Sequence, residues 1–201
     1  GSQVGGIVGG VGLYSDTQGS TDSKISNAYN LGTIRSFAVK NTDGSYTTNQ
    51  IGGIIGFIMS NKGHDLTVEN VYTTGNLYAG RLNEGENYSG LGSIIGVNDA
   101  GGGRVTVTNA YYIKPAKDEN DKPLFTVLTG NRDNSNKAID FDQKSDLKQY
   151  KYTKDGQDHS LSFSTQADGS GNVEGNTDNN WRIYGGNTPI LNAFLPDAEG
   201  Y

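Results

Sequence analysis

A six-residue unit occurs three times in the first half of this chain, and it constrains the fold more than any other feature. It reads Val4-Gly5-Gly6-Ile7-Val8-Gly9, then Ile51-Gly52-Gly53-Ile54-Ile55-Gly56, then Leu91-Gly92-Ser93-Ile94-Ile95-Gly96. A second unit follows each copy: Ile25-Ser26-Asn27-Ala28-Tyr29, Val68-Glu69-Asn70-Val71-Tyr72 and Val107-Thr108-Asn109-Ala110-Tyr111. Starts at 4, 51 and 91 give spacings of 47 and 40, whereas the asparagines are 43 and 39 apart. Two short cores persist while the segments between them change length.

Such a pattern predicts a β-solenoid, in which each repeat buries its apolar face only against its neighbours. A rung of about 20 residues makes a 40-residue unit two rungs with variable corners. The six-residue core is too short for a helix and is bounded by glycines, which favours strand. Its Gly-Gly pair suits a corner or a close backbone approach. Asn27, Asn70 and Asn109 then project from equivalent places, where stacked amides can hydrogen-bond from layer to layer. Tyr29, Tyr72 and Tyr111 are placed to form an aromatic column beside them. All six are expected as scaffold rather than as ligand contacts.

Composition agrees. The 201 residues include 30 glycines and 21 asparagines, both tolerant of positive φ, and only four prolines. Hydrophobic residues are 33% of the chain and the mean hydropathy is -0.59. Those values argue against a helical bundle and fit a thin core. The net charge is -6 without a cluster of Lys or Arg, which argues against nucleic-acid binding and against adsorption to anionic membranes. No apolar run is long enough to span a bilayer, so no membrane insertion is expected. Absence of cysteine excludes a disulfide framework. Gly1-Ser2 reads as a remnant of cloning, and the chain as a piece of a longer protein.

The units Gly6-Ile7-Val8-Gly9, Gly53-Ile54-Ile55-Gly56 and Ser93-Ile94-Ile95-Gly96 resemble the GLUG motif of bacterial adhesins, also present in the non-catalytic part of IgA1 peptidases. Ile stands in place of Leu throughout, and Ser93 in place of the leading glycine. The ending, Trp181-Arg182-Ile183-Tyr184 through Pro189-Ile190-Leu191 to Phe194-Leu195, is similar to the terminal unit of filamentous-haemagglutinin-like exoproteins. The resemblance implies an all-β, right-handed parallel β-helix on a secreted or surface-anchored bacterial protein that serves attachment.

Three segments follow: repeats over 1–113, less regular rungs and loops over 114–180, and a carboxy-terminal cap over 181–201. An open solenoid end exposes unpaired strand edges, and Trp181, Ile183, Pro189, Leu191 and Phe194, with Ile190, suit its closure. Between them, Leu124–Leu128 and Leu161–Ser164 read as strands, 144–152 as a short helical turn, and Asp168–Asn180 as a surface loop.

No catalytic or metal-ligating set is expected. His64 and His159 lie in polar contexts that read as exposed loops, and His159-Ser160 side by side makes no triad, because base and nucleophile must meet in space. Zinc is disfavoured by two distant histidines and no cysteine. Asp140-Phe141-Asp142 and Asp118-Glu119-Asn120-Asp121 are acidic groups of the type glycosidases use, yet both lie outside the repeat cores. Asp168-Gly169-Ser170-Gly171-Asn172-Val173-Glu174 alternates oxygen donors as calcium loops do, but departs from the EF-hand template. The cofactor expectation is therefore none, with calcium as the alternative.

Display requires no catalytic group. The loops Phe37–Gln50 and Tyr78–Gly90 each carry a tyrosine, Tyr46 and Tyr88, among polar residues suited to sugar or protein contacts. Asn87-Tyr88-Ser89 also fits a glycosylation sequon. The expectation is a non-catalytic, extracellular adhesin rod whose partner is a cell-surface glycan or protein, with self-association in addition. The alternatives are a scaffold region of a larger secreted enzyme of the IgA1-peptidase type, or a carbohydrate-active β-helix.

Overall fold

The computed structural model describes residues 2–13, 22–36, 41–45, 49–60, 64–79, 90–100, 105–113, 138–141, 151–154, 157–160, 165–167, 173–174, 181–183 and 190–191. Among these described residues every regular element is a strand, and no helix is long and apolar enough to cross a membrane. The chain divides into two compact units, Gly1–Asp140 and Phe141–Tyr201.

In the first unit, the first repeat copy supplies β1 (Ser2–Gly5), β2 (Val8–Leu13), β3 (Ser23–Asn30) and β4 (Ile34–Ser36). The second supplies β5 (Asn49–Gly52), β6 (Ile55–Ser60), β7 (Leu66–Thr73) and β8 (Leu77–Ala79). The third supplies β9 (Leu91–Gly92), β10 (Ile95–Ala100) and β11 (Val105–Ile113). Strands pair in parallel with their repeat equivalents, in sheets ordered β1-β5-β9, β2-β6-β10, β3-β7-β11 and β4-β8. The third sheet continues from β11 to β12 (Ala138–Phe141). Register follows the repeat: Val8 faces Ile55 and Ile55 faces Ile95, while Tyr29 faces Tyr72 and Tyr72 faces Tyr111.

Each copy is therefore one layer of up to four strands, not the two rungs expected from its length. Pairing occurs at the full repeat period, β3 with β7 rather than β1 with β3, so intervening corners lengthen a single layer instead of adding a second. The six-residue core likewise is not one strand. It is strand, corner, strand: β5 ends at Gly52, the chain bends at Gly53-Ile54, and β6 starts at Ile55.

That corner requires glycine. A Cβ on Gly52 would strike the Ile55 carbonyl and sit 2.6 Å from the Gly96 nitrogen, and one on Gly53 would strike the Ser93 carbonyl and the Thr73 side chain. The close approach lets corner backbones bond directly between layers: Ile7 donates to the Ile54 carbonyl at 3.0 Å, and Ile54 to the Ile94 carbonyl at 3.0 Å. Apolar side chains on the two sides of the corner enter different cores. Ile54, Ile55, Ile58, Leu66, Val68, Val71, Ile94, Ile95, Val107 and Ala110 form one, while Ile34, Ile51, Leu77 and Leu91 form the other.

In the second unit, β13 (Lys151–Lys154) and β14 (Gln157–Ser160) form an antiparallel pair in which Tyr152 faces His159. Lys151 and Tyr152 are thus strand rather than part of a helical turn, and His159 is a strand residue rather than a loop one. A further sheet is ordered β16-β15-β17-β18, from β15 (Thr165–Ala167), β16 (Val173–Glu174), β17 (Trp181–Ile183) and β18 (Ile190–Leu191). Val173 and Glu174, expected within a surface loop, pair with Ala167 and Gln166: backbone amides and carbonyls of a polar stretch are satisfied by a neighbouring strand edge as readily as by solvent, and Val favours extended backbone. The strand readings over Leu124–Leu128 and Leu161–Ser164 lie outside the described residues.

Candidate functional site

The features that repeat in space are two columns crossing β3, β7 and β11. Asn27, Asn70 and Asn109 have φ of 53°, 52° and 49°, and they are the only non-glycine residues with positive φ among those described. An ordinary L-residue pays about 1–2 kcal/mol for this left-handed conformation, which asparagine visits because its short amide bonds locally. The conformation re-aims the strand. In β7, Leu66 and Val68 are buried in alternation, and after Asn70 the buried residues are Val71, Tyr72 and Thr73. One left-handed residue thus turns both halves of a strand toward the interior, as a bulge does.

The backbone ladder pairs Ser26 with Glu69 and Ala28 with Val71. Between those pairs the amides make the contact: Asn70 Nδ2 donates to Asn27 Oδ1 at 3.4 Å, and Asn109 Nδ2 donates to Asn70 Oδ1 at 3.0 Å. The column is not a buried one throughout, since Asn27 and Asn70 are half-buried and Asn109 is exposed. Two residues on, the rings of Tyr29 and Tyr72 stack with centroids 5.3 Å apart and planes 6° from parallel. Tyr72 and Tyr111 are fully buried, and Tyr29 is half-buried.

A third exposed feature went unread in the sequence. Arg35 of β4 lies over the ring of Tyr78 of β8, its guanidinium carbon 4.9 Å from the centroid, and Tyr78 is 42% exposed. Lys24 and Glu69 form an ion pair of 2.6 Å across β3 and β7. Of the stretches Phe37–Gln50 and Tyr78–Gly90, Asn49, Gln50, Tyr78 and Ala79 are strand residues and Gly90 is a turn residue whose carbonyl accepts from Ile51 at 2.6 Å, while 37–40, 46–48 and 80–89 lie outside the described residues.

Within the first segment, Asn41–Ser45 form a closed turn. Asn41 donates to the Ser45 carbonyl at 2.7 Å, Gly44 donates to the Asn41 carbonyl at 3.0 Å, and Gly44 adopts a φ of 86°. Asp43 accepts from the Ser45 hydroxyl at 2.6 Å and from its amide at 2.9 Å. Those two bonds, the hydroxyl's first, hold the Asp43 carboxyl below its ordinary range.

Tyr46, Tyr88, Pro189 and Phe194 lie outside the described residues. Trp181 and Ile183 occupy β17 and Leu191 occupies β18, with Trp181 opposite Leu191 in an antiparallel pair. His64 is half-buried rather than exposed. Asp140 ends the first unit in β12, and its neighbour Asp142 is outside the described residues, as are Asp118–Asp121. Of the calcium-like segment, only Val173 and Glu174 are described. Among the described residues no group of three or more His, Cys, Asp or Glu is arranged to hold a metal ion. Asn49, Thr74 and Ser93 are buried with side-chain polar atoms that lack hydrogen-bond partners. Comparison with protein families, curated proteins and solved structures finds no match to this chain.

Proposed function

We propose that this chain is a right-handed parallel β-helix with a carboxy-terminal cap, and that it serves as a non-catalytic segment of a bacterial surface or secreted adhesin. The observation that carries this reading is the stacking of the repeat copies in register, residue on equivalent residue. Because β4 pairs with β8 and β5 with β9, the strands that flank 37–48 and 80–89 in the sequence are stacked layer on layer. In this reading the two tyrosine-bearing stretches of sequence between those strands are what the regular scaffold serves to present. Arg35 and Tyr78, at the foot of these segments, add an exposed cation and aromatic face of a kind that sugars and proteins contact. Weak contacts repeated along such a stack sum by avidity. The ligand in this reading is a cell-surface glycan or protein, met outside the producing cell.

The test is binding of the chain to arrays of glycans and extracellular-matrix proteins, beside a variant with 37–48 and 80–89 replaced by Gly-Ser linkers of equal length. Binding that the replacement abolishes, with the β circular-dichroism signal retained, supports the proposal. Failure to bind, or release of new reducing or unsaturated ends from a polysaccharide, overturns it.

A further inference from the structure

Arg35 and Tyr78 are direct partners in the parallel pairing of β4 with β8. Ile34 and Ser36, on either side of Arg35, are buried, and so is Leu77 beside Tyr78, so both side chains leave the outer side of a fixed backbone. The guanidinium carbon lies 4.9 Å from the ring centroid, yet Tyr78 is still 42% exposed. An arginine stacked in this way keeps the N–H donors in its own plane available to a second partner.

No acid of the protein takes up those donors. The described residues of the first unit include two Lys or Arg side chains, Lys24 and Arg35. Lys24 is neutralised by Glu69 at 2.6 Å. Arg35 is exposed and has no carboxylate partner among the described residues, although the chain holds 22 acidic residues against 16 basic ones. The first unit therefore pairs one of these cations internally and holds the other flat against an open aromatic ring.

We propose that Arg35 and Tyr78 form a subsite for a carboxylated sugar, a uronic or sialic acid residue of a surface glycan. This assignment rests on the adhesin reading and gives its ligand a chemical class. A neutral sugar can lie on the ring with its C–H face but leaves the guanidinium to water, and an acidic peptide side chain does the reverse. A carboxylated sugar engages both. Its carboxylate accepts two parallel N–H bonds from Arg35 while the sugar ring rests against Tyr78. Stacking on the tyrosine restrains the arginine beforehand, so less rotamer freedom is lost on binding.

The test is titration of the full chain with two ligand pairs that differ in a free carboxylate: sialyllactose against lactose, and galacturonic acid oligomers against their methyl esters. In at least one pair the carboxylated member is expected to bind about tenfold more tightly. Arg35→Gln should remove that preference and leave the neutral member unaffected, and Arg35→Lys should restore only part of it, because the planar fork is lost. Tyr78→Ala should weaken both members, whereas Tyr78→Phe keeps the ring and should weaken neither. Both positions are exposed, and an unchanged thermal midpoint checks that each variant is folded. Sugar binding without preference for the carboxylate, a preference that survives Arg35→Gln, or tighter binding of polyglutamate than of either acidic sugar overturns the subsite and leaves the adhesin reading standing. Absence of binding to every glycan and matrix protein overturns both.

Discussion

Tyr29 and Tyr72 lie face to face, 5.3 Å between ring centroids and 6° from parallel, although one belongs to the first repeat copy and the other to the second. A centroid distance slightly above the usual interstrand spacing of about 4.8 Å fits near-parallel rings slipped sideways, the offset-stacked arrangement. The contact exists only when the two layers are in register, so it reports layer stacking directly. A double-mutant cycle with Tyr29→Leu and Tyr72→Leu is expected to give a coupling of about 0.5–1.5 kcal/mol in chemical denaturation. Additive effects would mean that the rings are merely buried side by side.

Asn70 serves two purposes, accepting from Asn109 while donating to Asn27 and holding a φ of 52°. Asn70→Gly loses the amide bonds and keeps the backbone, at a cost of about 1–2 kcal/mol. Asn70→Ala loses both, and its midpoint should fall further, by about 1 kcal/mol more than glycine. Equal losses in the two variants would show that the left-handed turn contributes nothing.

Ser93 holds the place of Gly6 and Gly53, and its hydroxyl is buried without a partner. Ser93→Ala removes that unpaired group while keeping the Cβ that the third copy accommodates. The expected change is a stabilisation of about 1 kcal/mol. The reverse exchange, Gly53→Ala, places a Cβ against the Ser93 carbonyl and the Thr73 side chain and should lower the thermal midpoint sharply. If both alanines behave alike, the corner is more plastic than its contacts indicate.

The Asn41–Ser45 turn should depend on acidity. Bonds from Ser45 lower the folded pKa of Asp43 below its ordinary value of 3.8. Ordering of the turn by the carboxylate is therefore complete above pH 3.8 and is lost as pH falls through the lower, folded pKa. Titration of Asp43 by NMR should give a midpoint below 3.8, with the Ser45 amide shift following it. Ser45→Ala should return the midpoint toward the ordinary value, and a midpoint unmoved by that substitution would remove Ser45 as the cause.

Much of the first unit can be read from the chain, because parallel stacking requires the same residue type at the same place in every layer. Asn27, Asn70 and Asn109 stand out for that reason, as do the glycine corners. Period alone, however, counts residues per copy and not the partner of each strand, so one layer per copy is visible only in the pairing. Left-handed φ at the three asparagines is consistent with their residue type but unstated by it, since an amide can also cap or ladder from extended backbone. Arg35 and Tyr78 meet between layers, a contact with no local sequence signature. In the second unit, the pairing of Tyr152 with His159 was foreshadowed by Asp155-Gly156, a dipeptide typical of two-residue hairpins. The expectation of a helical turn over 144–152 rests on Leu147 and Tyr150 standing three apart and does not weigh that dipeptide.

That one copy equals one layer also bears on how such a chain can change length. Recombination between equivalent points of two copies, at Ile51 and Leu91 for example, adds or removes a complete layer and leaves every corner glycine and every left-handed asparagine facing its counterpart. A duplication would lengthen the stack by about 4.8 Å and a deletion would shorten it by as much, with no strand out of phase. Unequal spacing between copies is no obstacle, because it arises outside the paired strands, whose register is the same from copy to copy. The gene can thus add, remove or exchange whole layers without rebuilding the core.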